Sequence, residues 1–495
     1  MSHAVGAAPS ISSDALARVT PDTWRELGDC FRAQQLDTIF PELFHMADAA
    51  FEPASRGVRA RELRASDGAG AQLLRLFWVG DELSRDEAVA ALGATLFEPL
   101  AAARVLVEAA GRVRAALRLT RCGSDLLLGE ELSGVPDAVM AVGPNTTLLL
   151  RAAVPAKRFG SLLDLGCGAG ALALGLAPHF ERVVATDINE RAISIAAANA
   201  ALAGITNIET RAGDLFAPVE GMTFDRIVCQ PPFMPAYEGD AIAGTTRTGG
   251  SRGDELPLRA MAGTARHLAP MGRALFIMNW LIVDEQPIAE RVRAAVGPSI
   301  DVLVVDIADL DPTALAIGNS MFDDPSLGPK FEQAAFGRYR HYRALGVASV
   351  KATLVVLANT SSARAGFTAT FELSTLPQSE LTARDVDAWM DAHALVAAGP
   401  DAIARASYVL RPDVQLARLG DGSVIVHTPS TSALPRLTIA AATAEVLDKV
   451  RRAKTGAEAI RRHVKDTKGQ PAAATRAVTE AIEAFLRKGV LEVAR

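Results

Sequence analysis

Three carboxylates and a run of glycines carry the chemistry most open to reading in this chain. Asp164-Leu165-Gly166-Cys167-Gly168-Ala169-Gly170 follows an apolar stretch and precedes a helix-forming one. Glycines at a strand-to-helix turn let the backbone approach a ligand, and the first turn of the helix offers N–H groups with no partner inside the helix. A carboxylate at Asp164 repels phosphate and attracts an ammonium, which favours a ligand with an amino-acid moiety over a dinucleotide. Asp187 closes the next apolar run, RVVATD, where an acid accepts both hydroxyls of a ribose. Asp214, in AGDLF, closes a third run and is placed to accept from an adenine amino group, with Ile188 and Leu215 as apolar faces for the ring. Taken singly, an acid at a strand end is more often a helix cap. Three of them at successive strand ends point to one ligand, because open α/β sheets bind ligands outside the carboxyl ends of their strands. Ammonium, ribose and adenine together describe S-adenosyl-L-methionine.

A fourth apolar run ends in Cys229-Gln230-Pro231-Pro232-Phe233, a rigid turn leaving the sheet at the same end. Tyr237 follows closely enough to line an acceptor pocket. Further on, Phe336-Gly337-Arg338-Tyr339-Arg340-His341-Tyr342-Arg343 interleaves basic and aromatic residues. That pattern suits a lid or a rim for an acidic or aromatic substrate, with Tyr339 as a contact, and equally a solvated surface helix.

These residues need a scaffold. SLLDLGCG, RVVATDI, IETRAGDL, FDRIVCQPP, RALFIMNWLI, IDVLVVDIA and VKATLVVLA read as strands, with amphipathic stretches between most of them. The fold predicted is α/β, a Rossmann-like seven-stranded doubly wound sheet that is parallel and covered on both faces. It is flanked by a mainly helical, winged-helix-like N-terminal domain and a small α+β C-terminal domain. In residue numbers this places a flexible tail at 1–20, the N-terminal domain at 21–140 and the sheet domain at 141–365 with an insertion at 310–347. A linker and helix occupy 366–404, and the C-terminal unit 405–495. Within the N-terminal domain, 84–93 and 97–111 read as helices, the second capped by Gly111, and RVRAALRLT and SDLLLGEEL as two wing strands. KGQPAAAT at 468–475 reads as a loop.

Composition narrows the function class. A net charge of −6 disfavours a nucleic-acid binder that works by whole-surface attraction. The four cysteines are scattered without metal-ligand spacing and read as buried thiols in a reducing compartment, so no metal is expected. With no signal-like start and no apolar run of membrane-spanning length, the expectation is a cytoplasmic protein with no membrane partner.

The series D-x-G-x-G-x-G, A-T-D, G-D-L-F and x-P-P-F resembles the small methyltransferase-domain family, which includes the N5-glutamine methyltransferases of release factors and the guanine-N2 methyltransferases of ribosomal RNA. The likeness covers about 145–282. With the flanks included, the chain is similar to uncharacterised bacterial methyltransferases that carry an extra N-terminal domain and a glycine-rich stretch like TRTGGSRGDE, here at 246–255. The resemblance implies a class I S-adenosylmethionine-dependent methyltransferase whose cofactor is held by Asp164, Gly166, Gly168, Gly170, Asp187, Ile188, Asp214, Leu215 and Gln230. It also implies Gln230, Pro231, Pro232 and Phe233 as the catalytic corner, with Phe233, Tyr237 and Tyr339 toward the substrate. In the relatives that corner begins with asparagine, whose amide oxygen accepts from the target nitrogen together with the following proline carbonyl. Here glutamine stands in that place and reaches one methylene further, so either the substrate differs or nitrogen specificity is lost.

The C-terminal run of three strands and three helices, with Arg411-Pro412 before the first strand, resembles the PqqD-like fold that recognises leader peptides in enzymes modifying ribosomally made peptides. A packing or dimerisation module, which would make the protein a homodimer, is the plainer reading. Four readings stand at this point. They are transfer to a planar nitrogen of a peptide or protein, transfer to an RNA or DNA base, transfer to a small molecule of secondary metabolism, and a non-catalytic binding module.

Overall fold

The computed structural model describes residues 11–36, 59–130, 137–237, 247–324, 327–360, 364–373, 381–427, 437–467 and 470–494. The tail at 1–10, the end of the wing and the N-terminal boundary at 131–136, Thr246 and the start of the loop at 468–469 lie outside them.

The N-terminal unit begins earlier than its sequence suggested. Residues 11–20 are not a loose tail: Ser12 caps the helix Ser13–Ala17, and Ile11, Leu16 and Val19 are buried. The helix Pro21–Ala33 follows, with Thr20 as its cap and Trp24, Leu27 and Phe31 buried along one face. The helix Arg85–Leu92 opens on a capping box formed by Ser84 and Glu87. The stretch 97–111 is corrected: the helix ends at Ala102, and the chain then enters a strand. Three short strands, β1 (Leu83–Ser84), β2 (Leu106–Ala109) and β3 (Arg112–Ala115), form one sheet in the order β1-β3-β2. Gly111 is therefore a turn residue rather than a helix cap. Ala110 and Gly111 both have positive φ, 50° and 72°, which is the backbone of a two-residue type I′ hairpin joining β2 to β3. The stretch RVRAALRLT thus breaks between two sheets, and β4 (Arg118–Cys122) pairs with β5 (Asp125–Gly129) as a separate antiparallel hairpin.

The central sheet contains β6 (Phe159–Leu165), β7 (Phe180–Asp187), β8 (Ile208–Ala212) and β9 (Phe224–Cys229). A small clasp, β10 (Met234–Pro235) with β11 (Thr248–Gly250), stands apart. The sheet continues with β12 (Leu268–Ile282), β13 (Ile300–Leu310), β14 (Ser349–Asn359) and β15 (Thr368–Glu372). The order is β15-β13-β14-β12-β9-β6-β7-β8, so the seven strands read from the sequence are joined by an eighth, from the stretch read as a linker. The sheet is also not all parallel, since β14 runs antiparallel to both β12 and β13. The insertion explains this. Two helices, Pro312–Asp323 and Pro329–Ala344, pack on each other and return the chain to the end of the sheet it had left, pairing Leu310 with Val350.

Three further strands, β16 (Tyr408–Leu410), β17 (Gln415–Arg418) and β18 (Val424–His427), are followed by β19 (Leu437–Ile439) and, after three helices, by β20 (Leu491–Val493). The sheet β17-β18-β19 and the turn at Asp421-Gly422 are as read from the sequence. The stretch PAAAT is not loop but the opening of the helix Pro471–Arg487. Proline at the first helical position costs no hydrogen bond there, and alanine is the best helix former.

Both terminal units are fused to the sheet domain through shared cores. The N-terminal core includes Ala192, Ile195, Ala198 and Leu202 of the helix Glu190–Leu202. A Cβ on Gly28 would lie 2.0 Å from the carbonyl oxygen of Leu202, so the two helices touch backbone to backbone. The C-terminal core runs from Val228 and Leu275 of the sheet through Val386, Trp389 and Met390 to Val478, Ile482 and Leu491. Arg411 is buried against Asp385 of the helix Ala383–Ala397 and donates to Asp413 at 2.7 Å. It thus docks the C-terminal unit. Ending the chain at Gly399 should strip the cover from Val386, Trp389 and Met390, each worth roughly 1.5–3 kcal/mol of burial, and leave Asp385 without its cation. Calorimetry and light scattering are expected to show a lower melting temperature and association. An unchanged melting temperature would mean that the two units are energetically separate.

Candidate functional site

A cavity of about 470 Å³ opens at the carboxyl ends of β6, β7 and β9, within the range of small-molecule sites. Its wall includes Ala138–Ala141, Gly143 and Thr146, the glycine turn, the ends of β7 and β8, the turn after β9, and Arg247, Thr248, Leu256 and Arg259.

The glycine turn is pinned from below. The N–H groups of Gly166 and Cys167 donate to the Thr186 carbonyl at 2.8 and 2.9 Å, and that of Gly168 to Asp187 Oδ2 at 2.9 Å. Gly168 has φ of 53°, and a Cβ there would lie 3.3 Å from the Met140 carbonyl oxygen. A side chain at this position would be both strained and pressed against the facing wall. Asp187 Oδ1 accepts from the Asn189 N–H at 2.9 Å. Burial raises the Asp187 carboxyl above its ordinary range, opposed by the N–H groups of Asn189, Gly168 and Ile188. With backbone N–H groups on both oxygens and its side chain in the cavity wall, the carboxylate suits a vicinal diol.

Asp214 lines the cavity and pairs with Arg259 at 3.2 Å, both half exposed. Ile188, an apolar side chain 53% exposed, and Leu215, held at φ of 47°, lie in the same wall. Apolar surface left open inside a concave site is what a flat ring would cover. Cys167 and Cys229 also line it, and burial pushes both thiols well up, so they are neutral apolar wall rather than nucleophiles.

Asp164 sits behind the glycine turn, outside the wall and 1% exposed. Its Oδ2 accepts from the Ala173 N–H at 2.9 Å, while Oδ1 has no partner among the described residues. Burial pushes its carboxyl up to about 7, with Asp187 adding to the rise and the Ala173 N–H opposing it.

Gln230, Pro231 and Pro232 line the cavity. Gln230 Oε1 accepts from the Thr146 hydroxyl at 3.0 Å. Phe233 instead packs partly buried on the core of the sheet. Tyr237 lies against the insertion, its ring 6.0 Å from that of His341 and 5.6 Å from the Arg338 guanidinium carbon. Tyr339 is 36% exposed on the same helix and is not part of the wall.

The structure therefore brings Gly166, Gly168, Asp187, Ile188, Asp214, Leu215, Gln230, Pro231 and Pro232 around one cavity. It leaves Asp164, Gly170, Phe233, Tyr237 and Tyr339 outside that wall. Sequence reasoning missed Thr146, Arg259 and the segment Ala138–Ala141. Local sequence carried no signal for that segment, which long-range contacts hold in place. Asn189 Nδ2 and Arg191 Nη2 donate to the Asp137 carbonyl at 3.1 and 2.8 Å, and Arg191 pairs with the buried Glu130. Asn199, fully buried, bonds both Leu128 main-chain groups and the Ala169 carbonyl, stapling the N-terminal unit to the glycine turn.

Comparison with known proteins adds the lineage. The family described as "Methyltransferase small domain" matches residues 140–246. A release factor glutamine methyltransferase of Koribacter versatilis is 34% identical over 173 residues, covering 32% of this chain and 61% of the relative. One from Cereibacter sphaeroides is 34% identical over 240 residues, covering 43% of this chain and 84% of the relative. The chain thus spans less than two thirds of the first of these and more of the second. Among solved structures, a ribosomal protein L11 methylase from Lactobacillus delbrueckii subsp. bulgaricus is 23% identical, with a TM-score of 0.25, over 34% of this chain and 71% of that one. Among the described residues, no helix is long and apolar enough to cross a membrane.

Proposed function

The chain belongs to the methyltransferase small-domain family of class I S-adenosylmethionine-dependent methyltransferases, and from that premise we propose that it methylates a planar nitrogen of a peptide or protein. The observation that carries this reading is that the turn Gln230-Pro231-Pro232 and the glycine turn with Asp187 wall one and the same cavity. The cofactor's sulfonium supplies an electrophilic methyl group when bound. In this reading Asp187 holds the ribose, Ile188 and Leu215 flank the adenine, and Asp214 accepts from its amino group. Gln230 Oε1 and the carbonyl after it accept from the N–H groups of the acceptor. That orients the nitrogen toward the methyl group, and the proton released as the C–N bond forms passes to solvent. Orientation of this kind supplies a large part of the catalysis, because a delocalised nitrogen lone pair is a poor nucleophile unless it is aimed.

A peptide acceptor accords with the relatives, whose names give a release factor's glutamine as substrate. The three-stranded sheet β17-β18-β19 offers edges to which an extended chain could add by strand pairing. A ribosomally made precursor peptide is the form of substrate we favour, with the C-terminal unit holding the chain and the cavity receiving the methylated residue. The test is incubation with methyl-tritiated cofactor and either a bacterial release factor or candidate precursor peptides. A mass gain of one methyl group on a side-chain amide supports the reading, and label found only on nucleic acid or small molecules refutes it.

Cofactor binding is checked separately by titration calorimetry with S-adenosylhomocysteine. Asp187→Ala removes charge-assisted acceptors and frees the Gly168 and Asn189 N–H groups that shape the turn. A loss of about 2 kcal/mol or more, roughly thirtyfold in affinity, is expected. Equal affinity in the two proteins would remove Asp187 from the site.

A further inference from the structure

We infer that Thr146 is the positioning residue that makes a glutamine work at position 230, an inference that rests on the acceptor-site reading above. Thr146 lies in the first turn of the helix Pro144–Ala153 and is 6% exposed. Its hydroxyl oxygen accepts from the Gly143 N–H at 3.1 Å, and its hydroxyl hydrogen is directed to Gln230 Oε1 at 3.0 Å. A backbone N–H only donates. The Gln230 atom facing Thr146 is the carbonyl oxygen, which only accepts, so the relay runs from Gly143 through Thr146 to Gln230.

Two consequences follow for the reaction. The carbonyl oxygen of Gln230 keeps a second lone pair, so it still accepts from an acceptor N–H, but in an orientation set by a residue distant in sequence. The extra methylene of glutamine also acquires a purpose. It lets the side chain reach back to the helix Pro144–Ala153 while its amide stays in the cavity wall. An asparagine, one methylene shorter, would not span that gap from the same backbone. Thr146 and Gln230 thus act as a pair, and the substitution of glutamine for the family's asparagine is a change of support as well as of reach.

The test uses the full chain with Thr146→Val, which keeps the branched shape and removes the hydroxyl, and Thr146→Ser, which restores it. Crystal structures of both with S-adenosylhomocysteine give the first readout. The Gln230 amide should turn away from position 146 in the valine variant and return to hydrogen-bond distance of it in the serine variant. The second readout is methyl transfer to the release factor or peptide. For Thr146→Val, kcat should fall about tenfold, with KM and S-adenosylhomocysteine affinity within about twofold of the parent, and serine should restore kcat. Adding Thr146→Val to Gln230→Asn should cost nothing further, because the shorter side chain has already lost the contact. A Gln230 conformer unchanged in Thr146→Val, or no recovery with serine, overturns the inference. Should Gln230→Ala turn over normally, the acceptor-site reading fails instead, and the conformer of Gln230 still decides whether Thr146 sets it.

Discussion

Replacing Gln230 by alanine is expected to lower kcat about a hundredfold or more while leaving the affinity for S-adenosylhomocysteine within a few-fold of the parent. Gln230 contributes one side chain to a cavity whose cofactor end is built from other stretches, chiefly the glycine turn, Asp187 and Asp214. Truncating it therefore removes little ground-state binding. In the proposed reaction it removes the acceptor that aims the incoming nitrogen, and an interaction realised only in the transition state appears in kcat rather than in cofactor affinity. The measurement is single-turnover transfer from methyl-tritiated cofactor, alongside calorimetry. Wild-type turnover by this variant would place the acceptor site elsewhere. Gln230→Asn is the companion variant. It keeps an amide but shortens it, so a loss intermediate between alanine and the parent is expected.

Asp164→Asn is expected to stabilise the protein at pH 8. Burial, reinforced by Asp187 and opposed by the Ala173 N–H, pushes the folded-state carboxyl up to about 7 from an ordinary value of 3.8. A raised acid in the folded state means that the native protein holds its proton more tightly than the unfolded chain. Below about pH 4 the group is neutral in both states and costs nothing. Between there and about pH 7 the unfolded chain ionises first, so stability drains away as pH rises, and above that range the penalty is constant. Its size is on the order of 4 kcal/mol. Asparagine mimics the protonated acid and can still accept from the Ala173 N–H, so its stability should be flat in pH through this window. Denaturant titrations at pH 5 and pH 8 give the comparison. The gap between the two proteins should narrow from about 4 kcal/mol at pH 8 to about 1–2 kcal/mol at pH 5, and parallel curves would show that Asp164 does not titrate there.

Much of this protein is legible from local sequence because its signals are local. Apolar runs of strand length, amphipathic stretches between them, and Ser84 with Glu87 as a capping box identify elements without reference to the rest of the chain. In an alternating α/β chain, the residues just past each strand gather at one end of the sheet. The ends of β6, β7, β8 and β9 thus converge on one cavity, and most of the residues singled out at those ends stand in its wall, although Asp164 and Gly170 do not. Stretches whose fate depends on distant partners were not legible. Leu106–Ala109 sits in a stretch with the apolar content of a helix and becomes the strand β2 because β3 is there to pair with it. β14 runs against its neighbours because two helices packed on each other reverse the chain before it. Asp164 is a carboxylate in the sequence, and only its burial beneath the glycine turn decides that it titrates near neutrality. Thr146 and Gln230 are 84 residues apart, and nothing in either neighbourhood announces the bond between them. Residue types and their spacing along the chain determine which groups reach the carboxyl end of the sheet. Which groups are buried, paired or aimed is decided by long-range packing, since desolvation and hydrogen-bond geometry depend on atoms that local sequence does not contain.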